Sequence, residues 1–251
     1  MSIKSLMDYT FVAKYARWIP DKKRRETWHE TVNRVKNMML VKYENTPEIH
    51  EDIEWAYDMM KKRRVLGSQR ALQFGGNPIL KHNMRMYNCI SSFCDRPRFF
   101  QECMYLLLCG CGTGFSVQKH HVANLPSLVK NKEGTKRFTI EDNIEGWSDA
   151  VGVLVNSYFN RPKDFKEYSG KNVVFDFAKI REAGAPLSHG GKAPGPDPLK
   201  KSLKNIKNLL DETIKNGDKQ LSPIDAYDII MHSADAVISG GVRRSATICL
   251  F

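Results

Sequence analysis

The sequence predicts an α/β protein, because short extended runs alternate with helical patterns along most of the chain. Phe99–Cys109 is apolar on nearly every side, which is typical of a buried helix, and Phe115–Val117 has an extended pattern. Val173–Phe177 is a second short apolar run, and Leu199–Ile214 repeats its apolar residues at helical spacing. At 251 residues the chain can bury a sizeable core, as one large domain or two smaller ones.

The composition is that of an ordinary globular protein, 41% hydrophobic and 27% charged. No run of about 18 apolar residues occurs, so the sequence predicts no membrane span. The N-terminal segment lacks the apolar core and cleavage site of a signal peptide. We therefore expect a cytoplasmic protein without a membrane partner.

The chain is basic, with 39 Lys and Arg against 28 Asp and Glu and a net charge of +11. This charge favours phosphate-bearing partners, either nucleotides or nucleic acid. The basic residues fall in short groups without the interleaved exposed aromatic residues of a single-strand binding surface, namely Lys22–Arg25, Lys61–Arg64 and Lys200–Lys207. Solvated helix faces explain most of them, so a nucleic-acid-binding function rests on net charge alone.

Six cysteines are spread through the chain, and without a secretory signal we expect free thiols instead of a disulfide framework. Cys109 and Cys111 form a Cys-x-Cys pair, but no second pair follows at zinc spacing, so no metal site is predicted. Cys103 and Cys109 fall in the apolar helix, and we expect both to be inert core residues.

The N-terminal 65 residues predict a helical segment without a chemical signature. Lys22–Val41 and Pro47–Arg64 have helical patterns, and Thr46 with Pro47 is a typical helix start. Gly67–Gly76 predicts a turn-rich connector in which Ser68 is a loop or helix-capping residue.

The stretch Met84–Val117 organises the rest of the chain. We expect a strand-like run that ends at Asn88–Cys89, and then a helix with Asp95 as its cap and Pro97 in its first turn. The glycines that follow this helix, Gly110, Gly112 and Gly114, precede a strand. A dinucleotide-binding fingerprint needs the reverse order, strand before glycines and helix after them. Close packing at these glycines is favoured over contact with a ligand.

The C-terminal third predicts a helix over Phe138–Phe159 and an irregular loop over Leu187–Pro198. In that loop Lys192 is a candidate for phosphate contact, with a solvated lysine as the alternative. Ser222–Pro223 is a good helix start, and Gly240–Gly241 is a good helix end. A β-rich run closes the chain.

The amino-acid sequence of several segments resembles that of the adenosylcobalamin-dependent (class II) ribonucleotide reductases, particularly the monomeric ribonucleoside-triphosphate type. Tyr87-Asn88-Cys89 is followed by GCGTGFSVQ and HHVANLP, and Leu66–Gly76 is similar to a substrate-pocket segment of that family. GAPLSHGGKAPGP is similar to the family's first specificity loop and SGGVRRSATI to its second. The resemblance covers about Leu66 to Phe251.

The resemblance implies the first half of a ten-stranded α/β barrel over residues 66–251, preceded by the helical segment 1–65. Cys89 matches the first of two cysteines that reduce the substrate, with Cys94 as a nearby alternative beyond the motif. Substrate binding is expected at Ser68, Arg70, Asn88 and Gly112. The effector and specificity loops are expected to include Lys192, Gly240, Gly241, Arg243 and Arg244.

The resemblance further implies reduction of ribonucleoside triphosphates by thiyl-radical chemistry, a deoxynucleotide effector and a thioredoxin-type reductant. No Asn-x-Cys-x-Glu segment with a radical cysteine occurs in the sequence. We therefore expect an incomplete enzyme, whose C-terminal half completes the adenosylcobalamin site as a separate or spliced chain. No nucleic-acid partner is expected. The alternative is a catalytically inactive nucleotide-binding module that keeps the effector loops.

Overall fold

The computed structural model describes residues 2–129, 133–186, 192–238 and 246–251. It shows a mixed α/β chain, as predicted, that divides into two compact units, Met1–Asn88 and Cys89–Phe251. None of the helices within those ranges is long and apolar enough to cross a membrane. The domain division between residues 65 and 66 remains a prediction.

The first unit is mostly helical, as its sequence predicts. Its core consists of apolar side chains from α2, α3 and α4, including Val32, Val35, Met60, Leu72 and Phe74. The elements in chain order are α1 (Ile3–Lys14), β1 (Trp18–Ile19), β2 (Arg24–Arg25), α2 (Trp28–Lys42), α3 (His50–Lys61), α4 (Gln69–Phe74) and α5 (Asn77–Lys81), with short 3₁₀ turns at Pro47–Ile49 and Asn83–Met86.

Three local predictions for this unit are wrong. The helix predicted from Lys22 begins at Trp28, because Thr27 and Glu30 form a reciprocal capping box and the residues before them form a β1–β2 hairpin. The connector Gly67–Gly76 contains helix α4 instead of turns alone, although the helix-capping role expected for Ser68 is confirmed. The run before Cys89 is a 3₁₀ turn, and the strand begins at Cys89 itself.

The second unit contains two parallel sheets and the helices around them. The strands β3, β4 and β7 form one sheet in that order, and β5 pairs with β6 in the other. The elements in chain order are β3 (Cys89–Phe93), α6 (Arg98–Cys109), β4 (Gly112–Ser116), α7 (Lys119–Val122), β5 (Thr135–Thr139), α8 (Ile144–Asn156), β6 (Asn172–Asp176), α9 (Asp197–Lys215), α10 (Pro223–Ile238) and β7 (Thr247–Leu250).

Helix α6 is the centre of this unit, and it packs against α8, α10 and β4. Phe99, Met104 and Leu107 are fully buried there, so the predicted buried helix is confirmed. The amphipathic helix predicted over Leu199–Ile214 is also confirmed, since the apolar side of α9 packs on α8 and α10. Ser222 caps α10 by accepting a hydrogen bond from the Asp225 backbone, as predicted.

Two helix starts in the second unit differ from prediction. Asp95 pairs with Arg96 instead of capping α6, and Pro97 directly precedes the first helical residue. The helix predicted from Phe138 begins at Ile144, with Asn143 as its cap, because Phe138 belongs to strand β5. The glycine pair predicted to end α10 lies outside the described residues.

Candidate functional site

The three-stranded sheet β3–β4–β7 has one covered and one open face. Successive side chains of a strand point to opposite faces. Phe115 and its neighbours on the covered face pack into the core around α6. On the open face Cys89 is exposed, and Phe93 and Ile248 keep 52% and 68% of their surface accessible. This open face carries the candidate site.

Glycine in the central strand brings the side chains of the open face together. The parallel register places Cys89 beside Gly112, and Gly114 between Ser91 and Ile248. A Cβ atom on Gly114 would lie 3.3 Å from Ile248 Cγ2 and 3.6 Å from Ser91 Cβ. The predicted close packing is therefore confirmed at Gly114. Gly110 has a positive φ of 89° and ends helix α6 in the left-handed conformation that glycine adopts without strain.

The six cysteines are free thiols with different surroundings, and Cys249 is partly buried. Cys89 is exposed, whereas Cys94, Cys103, Cys109 and Cys111 are buried. Burial raises the pKa of Cys103 to about 12, and burial, with a smaller effect of Cys103, raises the pKa of Cys94 further. Since the thiolate is the reactive form of cysteine, this environment disfavours Cys94 as the alternative to Cys89.

Three of the predicted substrate residues lie in the first unit. The Arg70 Nε atom donates a hydrogen bond to Asn88 Oδ1 at 2.6 Å, and the Arg70 guanidinium lies 5.6 Å from the ring centroid of Phe74. Ser68 Oγ accepts a hydrogen bond from the Ala71 backbone at 3.2 Å and so caps α4. The structure thus brings Arg70 and Asn88 together and gives Ser68 a structural contact. Their substrate roles remain predictions.

The predicted effector residues are described only in part. Lys192 is exposed and pairs with Pro186 in an antiparallel bridge at the base of the first predicted specificity loop. The Ala193 backbone N–H donates to the Ala185 carbonyl at 2.7 Å, which closes this base. Gly240, Gly241, Arg243 and Arg244 lie outside the described residues. The effector role of all five residues remains a prediction.

The structure contains a pair of aromatic rings at the end of the open face that the sequence did not predict. The Phe93 and His121 ring centroids are 4.5 Å apart and tilted by 30°. Strand alternation from Cys89 is the signal that places Ser91 and Phe93 on its face. No comparable signal marks His121, because its contact with Phe93 joins segments that only the folded chain brings together.

Comparison with known proteins shows which enzymes the chain resembles. Residues 117–210 match the family model of the B12-dependent ribonucleotide reductase insertion domain, and residues 2–65 match that of the ribonucleotide reductase alpha domain. These matches make the chain similar to the B12-dependent ribonucleotide reductases. The first match falls within Leu66–Phe251, where the sequence motifs resemble this family, and the second covers the helical segment that precedes it.

Relatives of this reductase family match nearly the whole chain. Adenosylcobalamin-dependent ribonucleoside-triphosphate reductases of Lactobacillus gasseri and Lactobacillus leichmannii are 27% and 25% identical to it over 96% of its length. The crystal structure of a B12-dependent (class II) ribonucleotide reductase superposes on 96% of the chain with a TM-score of 0.79 and 22% identity. The chain spans about 40% of the length of these reductases.

The described residues do not by themselves identify a site for the B12 cofactor of these reductases. They contain no cluster of three His, Cys, Asp or Glu side chains that could hold a metal ion. One cavity lies within the first unit and a polar one lies between α9 and α10, and neither includes residues of the open face. No described residue is assigned to the corrin ring, and no reaction step is derived through it.

Proposed function

We propose that the chain is the N-terminal part of an adenosylcobalamin-dependent ribonucleoside-triphosphate reductase. Such an enzyme replaces the 2′-hydroxyl of the substrate ribose with hydrogen. The proposal is supported by the relatives of that name, which match 96% of the chain, and by its 40% coverage of their length. Residues 66–251 are then the first half of a ten-stranded α/β barrel, with the β3–β4–β7 sheet as part of its wall.

The position of Cys89 carries the proposal. Its thiol is exposed on the open face, next to a glycine of the central strand, while Cys249 of β7 is partly buried and Cys94, Cys103, Cys109 and Cys111 are buried. Cys89 supplies one of two thiols that reduce the substrate. When the two thiols become a disulfide, two electrons and two protons pass to the substrate, and the 2′-oxygen leaves as water. The second thiol belongs to the part of the enzyme outside this chain.

Substrate positioning is assigned to residues that flank this thiol in sequence or in the sheet. Gly112 lies beside Cys89 in the register and presents no side chain. Asn88 precedes Cys89, and its amide is held by Arg70. Ser68 begins the helix that carries Arg70. We assign these four residues to the ribonucleoside triphosphate.

The cofactor and the remaining partners follow from the same proposal. Adenosylcobalamin, when bound, supplies the radical that starts the reaction, and its site is completed by the C-terminal half. A thioredoxin-type reductant returns the disulfide to thiols in the cytoplasm, where cysteines stay reduced. A deoxynucleotide effector acts through Lys192 and the loop that contains Gly240, Gly241, Arg243 and Arg244.

A reconstitution experiment tests the function. The chain is combined with a second chain that supplies the missing cysteines, and deoxynucleotide formation is measured with adenosylcobalamin and thioredoxin. Cys89→Ser should abolish multiple turnover while cofactor homolysis continues, because the radical arises elsewhere. Cys103→Ser is the matched control and should cost only packing, about 1 kcal/mol of unfolding free energy.

Two outcomes would contradict this proposal. Undiminished steady-state turnover of Cys89→Ser would exclude Cys89 as a reducing thiol. Nucleotide binding without any deoxynucleotide formation in the reconstituted wild type would instead favour the inactive nucleotide-binding module.

A further inference from the structure

The two residues before Cys89 have little packing of their own. Tyr87 is 57% exposed and Asn88 is also exposed, and both follow the 3₁₀ turn Asn83–Met86. Strand β3 begins at Cys89, directly after them. Side-chain contacts therefore decide how firmly the chain is held at the point where it reaches the thiol.

Arg70 makes the contact that holds Asn88. Its Nε atom donates to Asn88 Oδ1 at 2.6 Å, across 18 residues of sequence. A hydrogen bond from a charged donor is about twice as strong as a neutral one. An arginine side chain, however, gives up much of its rotamer freedom to form such a bond. The bond therefore becomes more favourable if another group already holds the guanidinium in place.

The ring of Phe74 is such a group. Phe74 ends helix α4 four residues after Arg70, so the two side chains lie on the same side of the helix. The Arg70 guanidinium lies 5.6 Å from the ring centroid, within the range of a cation–π contact. Phe74 is 3% exposed and belongs to the core of the first unit with Val35 and Leu72, so the ring itself is fixed.

A second guanidinium approaches the same ring from the turn before Cys89. Arg85 belongs to the 3₁₀ turn, and its guanidinium lies 5.9 Å from the Phe74 centroid. Arg85 is 6% exposed, and arginine is almost never buried so deeply without specific contacts. The Arg85 backbone N–H donates to the His82 carbonyl at 3.1 Å within this turn. One buried ring thus holds both the arginine that reaches Asn88 and the turn that precedes Asn88.

We propose that Phe74 and Arg85 are positioning residues for the Cys89 thiol. This inference rests on the proposed function, in which Cys89 reduces the substrate. Phe74 holds Arg70 in the orientation that binds Asn88, and Arg85 holds the turn that brings Asn88 within reach. Both residues are buried and act through these contacts. A group displaced by about 1 Å from its reacting geometry can lose about a hundredfold in rate, so this support affects turnover.

Side-chain NMR of the arginines tests the arrangement on the full 251-residue chain. The Arg70 Nε–H should exchange slowly with solvent, and its signal is the one that Arg70→Lys removes. Phe74→Leu keeps an apolar side chain without a ring. It should speed this exchange about tenfold, as expected for the loss of one cation–π contact.

Two variants of Arg85 and a packing control complete the exchange measurement. Arg85→Met should also speed the exchange, and Arg85→Lys should restore part of the protection because it keeps a cation near the ring. Val32 is fully buried in the same core, so Val32→Ala is the matched control for lost packing. It should leave the Arg70 Nε–H exchange unchanged.

Turnover of the reconstituted reductase gives a second readout with the same variants. Phe74→Leu and Arg85→Met should each lower kcat/KM about tenfold, because the thiol is less well placed. Arg85→Lys should recover part of this loss, and Val32→Ala should stay at the wild-type value.

The proposal is overturned if Phe74→Leu leaves the Arg70 Nε–H exchange as it is in the wild type. It is also overturned if Val32→Ala lowers kcat/KM as much as Phe74→Leu does, since lost packing would then explain the effect. A reconstituted wild type that forms no deoxynucleotide would overturn the proposed function and this catalytic role together, whereas unchanged exchange overturns the positioning alone.

Discussion

The side chain of Ile248 packs over Gly114, with its Cγ2 atom 3.3 Å from the place of a Cβ on that glycine. This contact joins β7 to the central strand across more than one hundred residues of sequence. It lies on the open face that also carries Cys89. The open face can therefore pack in this way only because residue 114 is a glycine and has no Cβ atom.

We predict that Gly114→Ala destabilises the second unit by about 1 kcal/mol and Gly114→Val by about 3 kcal/mol, since added atoms in a packed site force neighbours to move. Urea unfolding measures both values. The double variant Gly114→Ala with Ile248→Val should recover part of the loss, because the two sites are in contact. Strictly additive losses would show that Ile248 does not limit the space at Gly114.

The local sequence predicted the elements whose residue spacing alone defines them. Helix α6 is apolar over its length and α9 has a single apolar stripe, so the spacing of their residues was sufficient. The hairpin before α2 was missed because Lys22–Arg25 has favourable helix propensity. The hairpin is held by its strand pairing and by two hydrogen bonds. The Arg25 guanidinium donates to the Ala16 carbonyl, and the Glu26 backbone N–H donates to the Arg17 carbonyl. These contacts depend on the folded unit.

The site was predictable to a smaller extent. Cys89 was identified by the motif it shares with a family, and the alternation of β3 then defines its face. The strand order β3–β4–β7 was not predictable, since β7 pairs directly with β4 although α8, α9 and α10 separate the two strands in the sequence. For Ser68 the sequence could not decide between two roles, because the same residue fits both a substrate role and a helix cap.

Thiol accessibility gives a second prediction. Under native conditions Cys89 should react with a maleimide reagent far faster than Cys94 or Cys103, because it is exposed and burial raises the pKa of the other two. Peptide mass spectrometry after a short labelling pulse measures this order. Cys89→Ser should remove the fast phase and Cys103→Ser should not. Equal labelling of Cys89 and Cys94 would contradict the arrangement of the sheet.

The third prediction concerns the proposed specificity loop. In the reconstituted enzyme, Arg244→Ala should flatten the effector-dependent ratios of the four reduced nucleotides more than it lowers basal activity. An effector selects among loop conformations only through its differential affinity for them. The ratios are measured with each deoxynucleotide in turn, and Lys42→Ala serves as a charge control in the first unit. Ratios equal to those of wild type would exclude Arg244 from the relay.

The last prediction follows from the buried carboxylate of Glu26. Its oxygens accept hydrogen bonds from the Arg34 guanidinium at 2.8 and 2.9 Å, from Thr31 Oγ1 at 2.9 Å and from the Arg17 backbone at 3.1 Å. Burial alone would raise the pKa of Glu26, but these donors outweigh it and hold the pKa below its ordinary value of 4.5. Arg34 also donates to the carbonyls of Leu72 and Gly75, so the carboxylate anchors a contact between α2 and α4.

A carboxylate with a lowered pKa stabilises the folded state above its unfolded pKa, and this stability is lost as the pH falls through the folded pKa. Glu26→Gln should therefore cost about 2 kcal/mol of unfolding free energy at pH 7, where it leaves the Arg34 charge without its partner. The difference from wild type should shrink as the pH is lowered below 4.5, where Glu26 of the unfolded chain takes up a proton, until folded Glu26 is neutral as well below its own lowered pKa. Urea unfolding at a series of pH values measures this difference in unfolding free energy.

The control variant Glu54→Gln removes the exposed ion pair with Lys36 and should cost less than about 1 kcal/mol. A Glu26→Gln deficit that stays constant as the pH falls would show that the loss comes from packing and not from the charge.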